Sequence, residues 1–378
     1  MTRHRVRVLA ALVLPTVMLA AGCGATSPPE DAAVSAASGG PGPAGAAGEP
    51  RQSGLQAGSV DDNAVFSDYL RYRKEFAGRG LPVHDVDVSG RRIVTVVDRN
   101  TRPVFGAVVR AGDQEMRTHA DGRAMLLTRP SGEITVTYGG TTAVAKGDPP
   151  QAVLPIVRPE GRAKLQVLFL IDTTSSMSDE IDRLKSSVDS VAERIGKLES
   201  NPELQVGMTL YRDRGDAYLT RTTDFTSDVG AFRRALVEVG ADGGGDGPED
   251  LSTALHEALN KPSWDNGAVK LVFLIADAPP HLDYQDAPDY AADALQAAQR
   301  GIKVEPIASS GLDEQGEYVF RQLAQLTMGR FTFLTYGAGG AGGASPGGGN
   351  QYHVSEYAVL ALDDLVVRLV SDELRRLS

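Results

Sequence analysis

Two stretches of this chain are apolar at every position. Val167 to Ile171 and Leu271 to Ala276 are too short to span a membrane, which suits strands buried on both faces. Around them the hydrophobic period switches between helical and extended. Ile181 to Leu198 reads as an amphipathic helix, Leu204 to Tyr211 as a buried strand, and Leu219 to Phe225 as a sheet-edge strand. Val229 to Val239 and Leu251 to Leu259 read as helices, as do Tyr290 to Arg300 and Tyr318 to Met328, with strands at Ile302 to Ala308 and Phe331 to Thr335. Ser355 to Leu377 carries Tyr357, Leu360, Leu365, Leu369 and Leu374 at broadly helical spacing, which predicts one long closing helix. Strands alternating with helices predict an α/β fold with a doubly wound, mostly parallel, Rossmann-like sheet.

Ahead of residue 164 the pattern differs. Arg92 to Val97, Val104 to Val109, Arg123 to Leu127 and Glu133 to Tyr138 alternate with period two between Asn, Asp, Gly and Pro turns, and predict a small all-β sandwich over residues 83–157. The series VVDRNTRPVFGAVVRAG, THADGRAMLL and GEITVTYGG resembles a carboxypeptidase-regulatory-like, transthyretin-like or Ig-like module. Its polar residues fall in turns, so a spacer or stabilising role is expected. Asp61 to Phe76 predicts a short helix within residues 61–80, with acids first and bases last. Residues 24–60 are rich in Gly, Ala, Pro and Ser and predict a disordered tether. Arg3, His4, Arg5 and Arg7 followed by an apolar run make residues 1–23 a secretory signal pattern. The run closes as Leu19-Ala20-Ala21-Gly22-Cys23, which resembles a bacterial lipoprotein signal; the resemblance implies lipidation of Cys23 and an extracytoplasmic, membrane-anchored protein.

Composition narrows the choices. A net charge of −11 argues against nonspecific nucleic-acid binding and favours cations at acidic loops. The lone cysteine rules out an internal disulfide framework and a cluster of thiolate ligands.

The chemistry gathers at the carboxyl ends of the two apolar strands, where open α/β sheets bind ligands. Asp172, Thr174 and Ser176 follow the first strand, and Asp277 ends the second. Between them in sequence lies Gly243-Gly244-Gly245-Asp246-Gly247-Pro248-Glu249-Asp250. Hydroxyls beside carboxylates are hard oxygen donors. A donor set without imidazole or thiolate points to Mg²⁺, Mn²⁺ or Ca²⁺ rather than zinc.

The spacing of Asp172, Thr174 and Ser176 resembles the D-x-S-x-S metal-ion-dependent adhesion motif of von Willebrand factor A domains, in its D-x-T-x-S form. Residues 243–249 resemble that family's G-G-G-D-x-P-E loop, and Asp277 matches its final motif aspartate. The resemblance covers residues 164–378 and implies a divalent cation, Mg²⁺ in the first place, held by Asp172, Thr174, Ser176, Asp246 and Asp277. It further implies a non-enzymatic protein that binds a protein or surface ligand through the ion. Asp246 stands where adhesive members often carry a threonine. A further carboxylate neutralises more of the ion's charge and weakens its pull on an acidic partner.

Ser175, Asp213, Asp216 and His281 are rim candidates, Thr173 a turn former, and Glu249 and Asp250 read as the acids of a helix start. Arg214-Gly215-Asp216 spells an integrin-recognition tripeptide within a strand end, and Gly343 to Gly347 a nucleophile-elbow pattern without its strand and helix. Both read as coincidence. Two other functions remain open: a metal-assisted hydrolase using Asp277, Asp246 and His281, and an assembly subunit whose ion only stabilises the fold.

Overall fold

The computed structural model describes residues 56–127, 132–158, 161–245, 247–309, 311–335, 352–353 and 358–377. The signal segment, Cys23 and most of the expected tether lie outside these residues. So do Asp246, the linker residues Pro159 and Glu160, and the glycine-rich run from Gly337 to Gly349.

The described chain starts with β1 (Gln56–Val60) and α1 (Phe66–Ala77). It then enters a β-rich layer made of β2 (Arg92–Val97), β3 (Val108–Ala111), β4 (Gln114–Arg117), β5 (Arg123–Leu126), β6 (Ile134–Tyr138), β7 (Thr141–Ala145) and β8 (Gln151–Val153). β5, β2 and β8 form one sheet and β4, β3, β6 and β7 another. Val94, Val96, Val109, Leu126, Val136 and Leu154 are buried in the core of this unit. Three features depart from the sequence reading. Residues 104–107 precede the strand rather than begin it, β4, β7 and β8 were not expected, and β8 runs parallel to β2. These strands are only three to five residues long, too short to show a clear alternation.

The second part contains β9 (Lys164–Asp172), α2 (Ser178–Gly196), β10 (Glu203–Tyr211), β11 (Thr220–Thr226), α3 (Val229–Val237), α4 (Leu251–Asn260), β12 (Ala268–Ala276), α5 (Tyr290–Gln299), β13 (Ile302–Ala308), α6 (Glu314–Leu326), β14 (Phe331–Thr335), β15 (Ala358–Ala361) and α7 (Leu362–Arg375). Its eight-stranded sheet has the order β11-β10-β9-β12-β13-β14-β1-β15. β10, β9, β12, β13 and β14 are parallel neighbours, and β11, β1 and β15 pair antiparallel.

β9 and β12, the strands that carry the two apolar runs, lie at the centre of this sheet. Alternate residues of β9 go to opposite faces: Leu168 and Leu170 pack with α4, α5 and α6, whereas Val167, Phe169 and Ile171 pack with α2, α3 and α7. β12 divides in the same way, Val272 and Leu274 to one face, Leu271, Phe273 and Ile275 to the other. Because helices cover both faces, the two strands carry no polar alternation.

Two expectations at the ends of this part are corrected. The tether expected through residue 60 gives way at Gln56 to β1, which lies between β14 and β15 and pairs with both. QAGSV has no run of large apolar residues, and its place is secured by backbone hydrogen bonds on both sides. The closing helix begins at Leu362, not Ser355; Ala358 to Ala361 form a strand, although their apolar side chains fit helical spacing equally well.

Candidate metal centre

β9 ends at Asp172, after which the chain makes a tight turn (Ser175–Met177) and enters α2. Asp172 is fully buried. Its Oδ1 accepts from the Thr174 backbone N–H at 2.9 Å and from the Thr174 hydroxyl at 2.7 Å, a local turn that short polar side chains favour. The Thr174 and Ser176 hydroxyls lie 3.2 Å apart, and Ser176 donates to Asp277 Oδ1 across the sheet edge at 3.1 Å. Asp172, Thr174, Ser176 and Asp277 are therefore linked by hydrogen bonds, as neighbouring parallel strands allow. Ser175 points its backbone N–H to Gly243 O at 3.0 Å, and Thr173 O accepts from the Asp242 N–H at 3.1 Å, so the glycine-rich loop is stitched along the first.

Two glycines make that approach possible. Gly243 and Gly244 have φ of +78° and +69°. A Cβ on Gly243 would meet the Asp216 carboxylate at 2.4 Å, and one on Gly244 would meet Thr174 Cβ and Glu249 Oε1 at 2.9 Å. Asp216 is held there by the Gly244 N–H at 2.8 Å. Asp250, expected as an acid of the helix start, caps α4 by accepting from Thr253 N–H, and also binds Arg214. Arg214 reaches Asp286 as well, so the Arg-Gly-Asp tripeptide is engaged within the fold.

Glu249 departs from its reading as a helix-start acid. It is 3% exposed, its side chain lies against Thr174, and its Oε2 has no hydrogen-bond partner. Composition and period gave no sign of this; the signal was its place in the glycine-rich motif.

His281 is buried, with Nδ1 2.7 Å from Asp283 and its ring stacked on Tyr284 at 4.1 Å. Its Nε2 lies 3.6 Å from Asp213, whose carboxylate accepts from the Tyr284 hydroxyl at 2.9 Å. His281 and Asp213 thus form a separate cluster beside the loops.

The electrostatics are one-sided. Burial, and then the charge of Asp277, push the Asp172 carboxyl up to about 7. Burial, with Asp172 and Asp213 nearby, pushes Glu249 up to about 9, and burial raises Asp277. Asp172 Oδ2 is buried without a partner, and the Tyr211 hydroxyl beside it forms no well-shaped hydrogen bond. Two neighbouring carboxylates that each carry a buried, orphaned oxygen are costly to ionise unless a cation meets them. The donors here are carboxylates and hydroxyls, which suit Mg²⁺, Mn²⁺ or Ca²⁺. Among the described residues no three His, Cys, Asp or Glu side chains are arranged to hold an ion by themselves, so the hydroxyls are needed to complete the set.

Residues 166–340 match the family model of the von Willebrand factor A domain. The chain contains an A domain. A stretch of 118 residues, 31% of this chain, is 30% identical to alpha-protein kinase vwkA of Dictyostelium discoideum, and 122 residues are 26% identical to a putative ariadne-like RING finger protein, R811, of Acanthamoeba polyphaga mimivirus. The chain spans 19% and 12% of the length of these curated relatives. Solved structures similar to it include the conserved hypothetical protein BatB of Bacteroides thetaiotaomicron, with 14% identity, a TM-score of 0.37, and coverage of 56% of this chain and 98% of that one. Proximal thread matrix protein 1 of the mussel byssus has 13% identity and a TM-score of 0.34 over 43% of this chain and 40% of that one. β1 lies outside the matched residues of the A domain, yet it is a strand of the same sheet.

Proposed function

We propose that this protein is a surface-displayed binding protein whose A domain takes a divalent cation, most naturally Mg²⁺, and engages a protein or surface ligand through it. Asp172, Thr174, Ser176 and Asp277 would hold the ion, with Asp246 as the further carboxylate that the motif supplies. The observation carrying this reading is the buried, unpartnered Oδ2 of Asp172 beside the Thr174 and Ser176 hydroxyls, of which Ser176 already meets Asp277. When bound, the ion would supply a Lewis-acidic position for an oxygen of the partner. The protein's residues orient that position: Asp172 fixes the Thr174 hydroxyl, Asp277 fixes Ser176, and the glycine loop closes over them.

Display at a membrane would come from lipid on Cys23. A hydrolase would use His281 as base, but that ring is packed on Tyr284 and its Nε2 faces Asp213, which favours the binding reading.

The test is thermal unfolding of the purified protein against Mg²⁺, Mn²⁺ and Ca²⁺, alongside Asp172→Ala. A saturable rise in Tm, absent from the variant, supports the cation site. A flat response to all three ions in folded, chelator-treated protein removes it.

A further inference from the structure

A cavity of about 550 Å³ lies at the opposite ends of β9 and β12 from the cation site, where the β-rich layer, the linker before β9 and the residues after α7 meet. Lys164 opens β9 and lines the cavity, whereas Asp172 closes the strand, so its nine residues hold the two places roughly 26 Å apart. The volume is that of a site for a small molecule. Its described lining carries Arg102, Arg158, Arg162 and Lys164 and no Asp or Glu, in a chain whose net charge is −11. Phe105 and Tyr138, both half-buried, place two rings beside these cations.

One side of the cavity is built by Asp98. Fully buried, its carboxylate accepts from the backbone N–H groups of Asn100, Arg102 and Arg158 at 2.8, 3.0 and 3.0 Å, which fixes the turn after β2 to the linker. Backbone donors thus occupy both oxygens of this acid. Among the described residues, two of the guanidinium groups meet neutral oxygens. Arg158 donates from Nη2 to the Leu377 carbonyl, and its Nε is buried without a partner. Arg162 donates to the Asn201 carbonyl at 2.7 Å, to the Asn201 side-chain oxygen at 3.2 Å and to the Pro202 carbonyl at 3.4 Å. Lys164 pairs at 2.8 Å with Asp265, which stands outside the lining. Holding the chain after α7 accounts for Nη2 of Arg158 but leaves its buried Nε and its charge unmatched, and a buried donor without an acceptor is costly.

We propose that this cavity binds an organic phosphate, its doubly charged group between Arg158, Arg162 and Lys164 and its ring or other flat body against Phe105 and Tyr138. A guanidinium fork matches two oxygens of one phosphate, and the fixed backbone of Arg158 sets that fork in advance. The site is independent of the cation reading, because none of its residues belongs to the metal centre.

The experiment is calorimetric titration of the full protein, freed of metal and held at pH 8 so that the phosphate is fully ionised, with phenyl phosphate, benzoate and inorganic phosphate as probes. Phenyl phosphate is expected to bind saturably and more tightly than either of the others. Loss of one charge-assisted hydrogen bond weakens binding about 10–100-fold. Arg158→Gln is expected to raise the phenyl phosphate Kd by that factor, and Arg162→Gln, an exposed position that the fold tolerates, to raise it about 10-fold. No saturable heat from phenyl phosphate in wild type overturns the proposal without any variant. An unchanged Kd in folded Arg162→Gln and Arg158→Gln overturns the placement of the phosphate. Benzoate bound as tightly overturns the preference for a dianion, and inorganic phosphate bound as tightly overturns the contact with the rings. Binding seen only after Mg²⁺ is added puts the phosphate at the metal centre and overturns the proposal, while leaving the cation reading standing.

Discussion

Arg321 lies buried between Asp62, which takes both its Nε and Nη2 at 2.9 and 2.6 Å, and Glu317, which takes Nη1 at 3.1 Å, while its guanidinium covers the Tyr72 ring. At the carboxyl edge of the eight-stranded sheet, Asp172 and Glu249 are also withdrawn from water and Asp277 is half-buried, but hydroxyls and backbone N–H groups are what meet them. A second balanced group, Lys303 with Glu373 and Arg376 with Asp121, joins β13 and α7 to the turn of the β-rich layer. The chain can evidently supply a countercharge where one serves the fold. Among the described residues none stands beside Asp172, which supports the proposal that a cation from outside compensates that edge.

The sharpest way to break this contrast is to unbalance the balanced group. Arg321→Met leaves Asp62 and Glu317 buried without their cation and is expected to cost about 3–5 kcal/mol in urea unfolding. An equal loss in Asp62→Asn, with no loss in Arg321→Met, would refute the assignment. Next in size is the cation itself. At 100 times its Kd, a divalent ion should add about 2.7 kcal/mol to unfolding free energy, read as a shift of the urea midpoint. Asp172→Asn should change sign with conditions: at pH 8 in chelator it should stabilise by about 1–2 kcal/mol through removal of a buried charge. With Mg²⁺ present it should be the less stable protein.

His119 adds a dependence on acid. Burial, and then the charge of Lys303, hold its imidazole down to about 3. The neutral ring therefore contributes stability that is complete above the ordinary histidine value near 6.5 and is lost as pH falls toward 3. The slope should approach about 1.4 kcal/mol per pH unit, and His119→Gln should flatten it. The smallest effect belongs to Val237→Asp on the exposed end of α3, expected within about 0.5 kcal/mol of wild type.

Much of this was legible before any coordinates. An unbroken apolar run in β9 and β12 has few explanations other than a strand covered on both sides, and the oxygen-rich turns after them had to lie at the sheet's carboxyl edge. Asp172, Thr174, Ser176 and Asp277 could be brought together on that logic alone. Gln56 to Val60 could not be placed, because small and polar residues in a strand paired on both sides leave no side-chain signature. Glu249 was misread for a different reason. A proline followed by two acids suits a helix start whichever acid does the capping, and the backbone bonds that turn Glu249 inward reach it from Pro279 and His281, thirty residues later in the chain.

The position of β1 has a consequence for how the molecule is made. Gln56 pairs with Thr335 on one side and Ala361 on the other, so the strand emerges from the ribosome long before either neighbour exists. The β-rich layer, whose strands all lie between Arg92 and Val153, is synthesised entire while β1 still waits unpaired. The A-domain sheet closes only after the last strand has been synthesised, which makes its completion a late, long-range step.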